Sequence, residues 1–213
     1  MANLKQKYYE KRANVLVKNL HSRHFEACYC ADKAEALKKA LEWIPAGSSV
    51  GWGGAMSAQQ IGLLDTVRTG DYRALDRERG ATPEERKAIM KQCLGADVFI
   101  TGANALSLDG QMVNIDGNGN RVASSLYGHK KVWFIVGRNK LAPTYEEALW
   151  RARNIAAPKN AQRLGRKTPC AVHGDRCYDC KSPERICRGL VVLWEAVANM
   201  EMEVVLIDQD LGY

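Results

Sequence analysis

The chain has 213 residues, of which 46% are hydrophobic and 26% charged, placing it among globular proteins and away from disordered ones. No apolar run approaches the roughly 20 residues of a membrane span, and the polar segment from Met1 to Arg12 lacks the apolar core of a secretory signal, so a cytoplasmic protein is expected. The net charge of +7 suits an anionic small molecule or a nucleic acid. Its excess is partly local, however: eight Lys and Arg lie between Lys159 and Arg188, together with four of the seven cysteines. Cations at that place offset thiolates, and nucleic acid is not the expected partner.

In chain order, Leu4, Tyr8, Ala13, Leu16, Val17 and Leu20 trace an apolar face of a helix over residues 3–20. Alternation from His24 to Cys30 predicts a strand, which puts Cys28 and Cys30 on one side as packing residues. Asp32 with Glu35 caps a helix reaching Trp43. A short strand, Ser48 to Gly51, runs into Gly51-Trp52-Gly53-Gly54-Ala55-Met56-Ser57 and a following helix. Thr82-Pro83-Glu84-Glu85 starts another helix, with Cys93 as a buried residue near its end. Residues 97–101 (DVFIT) and 131–137 (KVWFIVG) read as buried strands, and Asp109-Gly110 turns a hairpin over Leu106 to Val113. Thr144 with Glu147 caps a helix to about Ala157, stopped by Pro158. A helix from Ile186 to Met200 and a strand from Glu203 to Asp208 complete the pattern. Alternating strands and helices define an α/β fold with helices on both faces of a largely parallel sheet.

Two polar loops follow predicted strands. In the first, Gly51, Gly53, Gly54 and Ser57 either cradle an anionic group or make a tight strand-to-helix turn; the Gly-Lys-Ser/Thr ending of a phosphate-binding P-loop is missing. In the second, Asn104, Asp116, Asn120 and Arg121 either shape left-handed turns or orient a polar ligand at the carboxyl ends of the strands. No catalytic triad is visible: His129 reads as a loop residue, and catalytic residues remain unassigned. No nicotinamide or flavin motif is present either.

Cys170, Cys177, Cys180 and Cys187 are spaced C-x6-C-x2-C-x6-C. In a chain without an export signal this points to a metal rather than to disulfides. The x2 spacing lets two thiolates share one centre, and Gly174 and Pro183 loosen the longer arms. A [4Fe–4S] cluster and zinc are the two four-thiolate options, in a structural or an electron-transfer role. The spacing is similar to the cluster loop of endonuclease III-like glycosylases, with one extra residue in the last arm, but the helix-hairpin-helix signature of those enzymes is absent.

The segments GWGGAMS, TGANALSLDGQMVNIDGNGNRVA and WFIVGRNKLAPTYEEALWRARNIAAPKNAQRL, in that order, resemble the LUD (lactate-utilisation) domain of LutC/YkgG-type proteins, here in a cysteine-bearing branch. The resemblance runs from about Lys5 onward. It implies a three-layer α/β/α sandwich similar to the NagB/RpiA/CoA-transferase group, in which a glycine loop binds an anionic part of the ligand. It also implies a role in oxidation of L-lactate or a related 2-hydroxy acid, with iron–sulfur or other redox partner proteins. The expected organisation is one LUD domain over residues 1–213, with a Cys-rich metal-binding segment at 168–188. The alternative is a non-catalytic, metal-stapled scaffold or regulatory subunit that binds an anionic small molecule.

Overall fold

The computed structural model describes residues 2–213, with the side-chain surroundings of all of these except residues 2, 3 and 5. The strands are β1 (Glu26–Cys30), β2 (Ser49–Trp52), β3 (Arg73–Leu75), β4 (Val98–Thr101), β5 (Ala105–Ser107), β6 (Met112–Asp116), β7 (Lys131–Gly137), β8 (Leu141–Ala142), β9 (Gly189–Leu193) and β10 (Glu201–Ile207). The helices are α1 (Ala2–His21), α2 (Lys33–Trp43), α3 (Met56–Gln60), α4 (Leu63–Thr69), α5 (Pro83–Cys93), α6 (Asn120–Ser124), α7 (Tyr145–Arg151), α8 (Ala157–Arg163) and α9 (Pro169–His173).

The main sheet is parallel throughout, in the order β1-β10-β7-β4-β2-β3. Its central strands are apolar on both faces because both are covered. Trp133 and Ile135 of β7, Val205 and Ile207 of β10 and Ile100 of β4 pack with Ala36 and Ala40 of α2 and Leu63 and Val67 of α4. The alternate residues Val132, Phe134, Val136, Val204 and Phe99 pack with Leu16 and Leu20 of α1 and Cys93 of α5. The result is helix, sheet and helix in three layers. Cys30 and Cys28 share the first of these faces, as their spacing requires.

A second sheet, β8-β5-β6-β9, combines an antiparallel β5–β6 hairpin with β9 along its outer edge. It has two apolar sides. Leu106, Met112 and Leu193 join the α1 side of the main core, while Ala105, Val113 and Ala142 pack on Ala148 of α7 and Ala152.

Local chemistry sets the helix starts. The Asp32 carboxylate accepts from Glu35 N at 2.9 Å, and Glu35 reaches back to Ala31 N at 2.7 Å. Thr82 with Glu85 and Thr144 with Glu147 form reciprocal capping boxes. On α1 the buried face is narrower than the apolar pattern suggests: Ala13, Leu16 and Leu20 are buried, while Leu4 and Tyr8 are exposed.

Two sequence expectations fail. The helix expected over Ile186 to Met200 is instead strand β9 and the turns after it. Leu190-Val-Val-Leu193 pairs antiparallel with β6, Val192 opposite Val113, where β-branched side chains pack well. Nor does Pro158 end the helix from Thr144. Residues Ala152–Ala156 widen into a π turn, and Pro158 sits in the first turn of α8. The wider turn removes the hydrogen bond that proline cannot donate, so the chain continues as a helix. Among the described residues, no helix is long and apolar enough to cross a membrane.

Candidate functional site

Because the main sheet is parallel, β2, β4, β7 and β10 all deliver their carboxyl ends to one edge, where open α/β sheets form crevices. The segments leaving these ends build a cleft of about 270 Å³. Gly53 and Gly54 come from β2, Gly102 to Asn104 from β4, Lys140 from β7 and Tyr213 from the segment after β10. The loop after β6 adds Asp116 to Asn118, Asn120 and Arg121, and α8 with the residues after it adds Asn160, Arg163 and Arg166.

The cleft is strongly cationic. Arg77, Arg121, Lys140, Arg163 and Arg166 line it, against Asp116 as the one acidic lining residue among those described. Lys140 is 5% exposed, and its Nζ donates to Ser57 Oγ at 3.2 Å. No carboxylate pairs with it among the described residues. Burial pushes the Lys140 ammonium down to about 7, and the charges of Arg151 and Arg121 add to the effect. Arg151 lies behind the wall, where it donates to the carbonyls of Asn139 (2.9 Å), Asn104 and Tyr213 (3.4 Å). Burial lowers its pKa to about 10. Thus one guanidinium ties together the loops that follow β4, β7 and β10.

Of the residues singled out by sequence, Gly53, Gly54, Ser57, Asn104, Asp116, Asn120 and Arg121 line this cleft, while Gly51 does not. A Cβ on Gly51 would stand 3.0 Å from Cys93 Sγ, so that glycine serves sheet-to-helix packing. Gly53 is likewise packed, against Arg121 and Phe99, whereas Gly54 uses its freedom to hold φ +57°. Arg121 is engaged by the protein itself. It donates to Asn114 Oδ1 (2.6 Å), the Ile115 carbonyl (2.6 Å), Asn104 Oδ1 (3.2 Å) and the Gly102 carbonyl (3.2 Å), and lies 3.4 Å from Asp116 Oδ2. Asp116 Oδ1 accepts from Asn118 N and Gly119 N, both at 3.0 Å. Asn104, Asp116 and Arg121 therefore form a half-buried lattice that shapes the cleft floor. Lys140 and Arg77 escaped sequence reading, while Arg163 and Arg166 were expected to offset the thiolates and instead line the cleft; a lysine directly after an apolar strand looks like ordinary surface, and only its place in the VGRNK segment set it apart.

The four clustered cysteines converge. Cys170 on α9, Cys177 and Cys180 in the following loop and Cys187 before β9 line one small cavity of about 10 Å³, with Arg153, Pro158 and Arg185. All seven cysteines are unpaired by disulfides. Arg185 staples the loop, donating to the Cys180 carbonyl (2.7 Å), the Cys187 carbonyl (2.8 Å) and Asp179 Oδ1 (3.0 Å). Cys177 Sγ accepts from Asp179 N at 3.4 Å, and Cys177 N donates to Asn154 Oδ1 on the π turn at 3.0 Å. As a donor set, four thiols around one cavity suit a four-thiolate centre. The void itself has room for about one water-sized body, and no group of three or more His, Cys, Asp or Glu among the described residues is arranged to hold a single ion. A centre held by these four cysteines would therefore need the loop to adjust.

The cleft and the thiol cavity share a wall, since Ala157 and Ile186 line both. The contact is close: a Cβ on Gly117 would lie 2.7 Å from the Ile186 carbonyl, and Arg188 N donates to the Asp116 carbonyl at 2.9 Å. His129 is not part of either site. It is buried, with Nδ1 2.8 Å from the Ala96 carbonyl and its ring stacked on Phe99.

Fold and site together define an α/β protein with a cationic cleft at the carboxyl edge of its parallel sheet and a four-cysteine loop on the cleft wall. The LUD-domain family profile matches residues 13–207, and the chain belongs to the LUD-domain family. Among solved structures, a DUF162 family protein from Deinococcus radiodurans is similar, with 13% identity over 93% of this chain and 98% of that one and a TM-score of 0.54. Ribose 5 phosphate isomerase A from Neisseria gonorrhoeae aligns over 53% of this chain and 54% of that one, with 19% identity and a TM-score of 0.35. No curated protein matches the sequence.

Proposed function

We propose that this protein binds a small anionic acid, L-lactate or a related 2-hydroxy or 2-oxo acid, in the cationic cleft and assists its oxidation, with a metal centre held by Cys170, Cys177, Cys180 and Cys187. The observation that carries the reading is the buried Lys140: an amine without a carboxylate partner among the described residues, in a cleft lined besides by four arginines and one aspartate. Such a group is completed by an anion from outside. Lys140 and Ser57 sit at the floor to meet the ligand's polar end, Arg77, Arg163 and Arg166 offset its charge from the walls, and the Arg121 lattice keeps the floor rigid.

A [4Fe–4S] cluster is the favoured centre and zinc the alternative; held by Cys170, Cys177, Cys180 and Cys187, a cluster would supply one-electron redox chemistry beside the cleft. The shared wall of Ala157 and Ile186 supports this placement. A second reading, a metal-stapled scaffold or regulatory subunit without chemistry of its own, is favoured by the small size of the thiol cavity and the many contacts fixing its loop to the cleft floor.

Calorimetric titration with L-lactate and pyruvate, beside uncharged lactamide and hydroxyacetone, tests the anion site. Saturable heat from the acids alone, weakened by salt, is expected. Equal binding of the uncharged analogues, or no binding of the acids, overturns it.

A further inference from the structure

We propose that Lys140 is a nucleophilic amine that forms an imine with a 2-oxo acid held in the cleft. This rests on the anion-binding reading above and adds covalent chemistry to it. The amine stands at the cleft floor with a single hydrogen bond, to Ser57 Oγ at 3.2 Å. Two glycines let the backbone approach it closely: a Cβ on Gly212 would come to 3.0 Å from Nζ, and one on Gly102 to 3.6 Å. A primary amine that lines the cleft and has no carboxylate partner among the described residues differs from a structural lysine, which is locked between carboxylates. Desolvation and the neighbouring Arg151 and Arg121 make the neutral amine abundant near pH 7, the same combination of burial and nearby cations that activates lysine toward carbonyls.

The step balances without an oxidant. The Nζ lone pair bonds to the carbonyl carbon, the C=O π pair moves to oxygen, and a proton passes from nitrogen to that oxygen. Ser57 Oγ is placed to relay it. A second proton transfer then expels water as the C=N bond forms. The carboxylate of the acid remains charged throughout, facing Arg77 and Arg166, which have no carboxylate partners among the described residues. A 2-hydroxy acid of the same size has the charge but no carbonyl, so it occupies the cleft without bonding.

The test is reductive trapping of the full chain with pyruvate and cyanoborohydride, read by intact mass and peptide mapping, beside calorimetry of pyruvate without reductant. A single reduced pyruvyl group on Lys140, saturable in pyruvate, suppressed by excess L-lactate and lost in Lys140→Met, is expected. No adduct, or adducts spread over exposed lysines such as Lys130, overturns the proposal. Because mapping is done on the unsubstituted protein, the result does not depend on the variant folding. Heat of pyruvate binding without an adduct overturns the imine alone and leaves the anion site standing; absence of both removes both.

Discussion

Replacing Lys140 with methionine should make the protein more stable, by an amount that depends on pH. The lysine titrates at about 7 in the folded chain against an ordinary value of 10.5. Below about pH 7 it is charged in both states, and its burial then costs the folded state up to about 5 kcal/mol. Between about 7 and 10.5 the unfolded chain binds the extra proton, so the penalty fades as pH rises and is gone above 10.5. Methionine matches the length of the stem and carries no charge; the lost hydrogen bond to Ser57 offsets roughly 1 kcal/mol of the gain. Lys140→Met is therefore expected to gain up to about 4 kcal/mol at pH 6 and much less at pH 9.5. Urea unfolding of both proteins at those two pH values measures it, and the difference between them removes contributions from other groups. A variant less stable than wild type at pH 6, or a difference independent of pH, would refute the assignment of Lys140 as an uncompensated buried amine. Stability gained at the loss of ligand binding is the usual pattern at a functional site.

Glu203 should behave in the opposite sense. Burial and its contact with Cys28 raise its carboxyl to about 8, so the folded chain holds a proton that the unfolded chain has lost above about pH 4.3. Stability from this group falls as pH rises toward 8, and Glu203→Gln should remove that slope, gaining up to about 5 kcal/mol at pH 9; an unchanged slope in pH-dependent urea unfolding counts against it. Gly117→Ala forces a Cβ to within 2.7 Å of the Ile186 carbonyl. The expected cost is about 1–3 kcal/mol, together with reduced metal retention at unchanged far-UV circular dichroism; full metal content would show that the two loops are not coupled. Cys180→Ser should lose most of the bound metal while keeping the sheet intact, and retention of a full complement would remove Cys180 from the ligand set. Trp133→Ala, at the centre of the main sheet, should cost about 3–5 kcal/mol, and a loss under 1 kcal/mol on urea unfolding would place the core elsewhere.

The strongly apolar strands β4, β7 and β10 and the Asp-Gly hairpin were legible because their local patterns coincide with their tertiary roles. β9 was not. Leu190 to Trp194 is a continuous apolar run, in which helix and strand periods cannot be distinguished, and its partner β6 lies far away in sequence. Pro158 misled for a related reason: whether proline ends a helix or is absorbed by a π turn depends on what fixes that turn, here including Asn154 and the loop at Cys177. In the cleft, the polar loops after β4 and β6 were visible as clusters of Asn, Asp and Gly. That Arg121 binds the protein rather than projecting donors outward, and that Lys140 is buried, emerge only when separate strand ends meet at one edge.

The most direct test of a ligand cleft walled by a metal centre is analysis of iron, acid-labile sulfide and zinc in protein prepared without oxygen, followed by visible and electron paramagnetic resonance spectra with and without pyruvate. About four irons and four sulfides per chain are expected, with colour that bleaches on reduction and a reduced-state spectrum that shifts when pyruvate enters the cleft. Protein without bound metal, or a cluster whose spectra ignore pyruvate at concentrations that saturate the cleft, would contradict that arrangement.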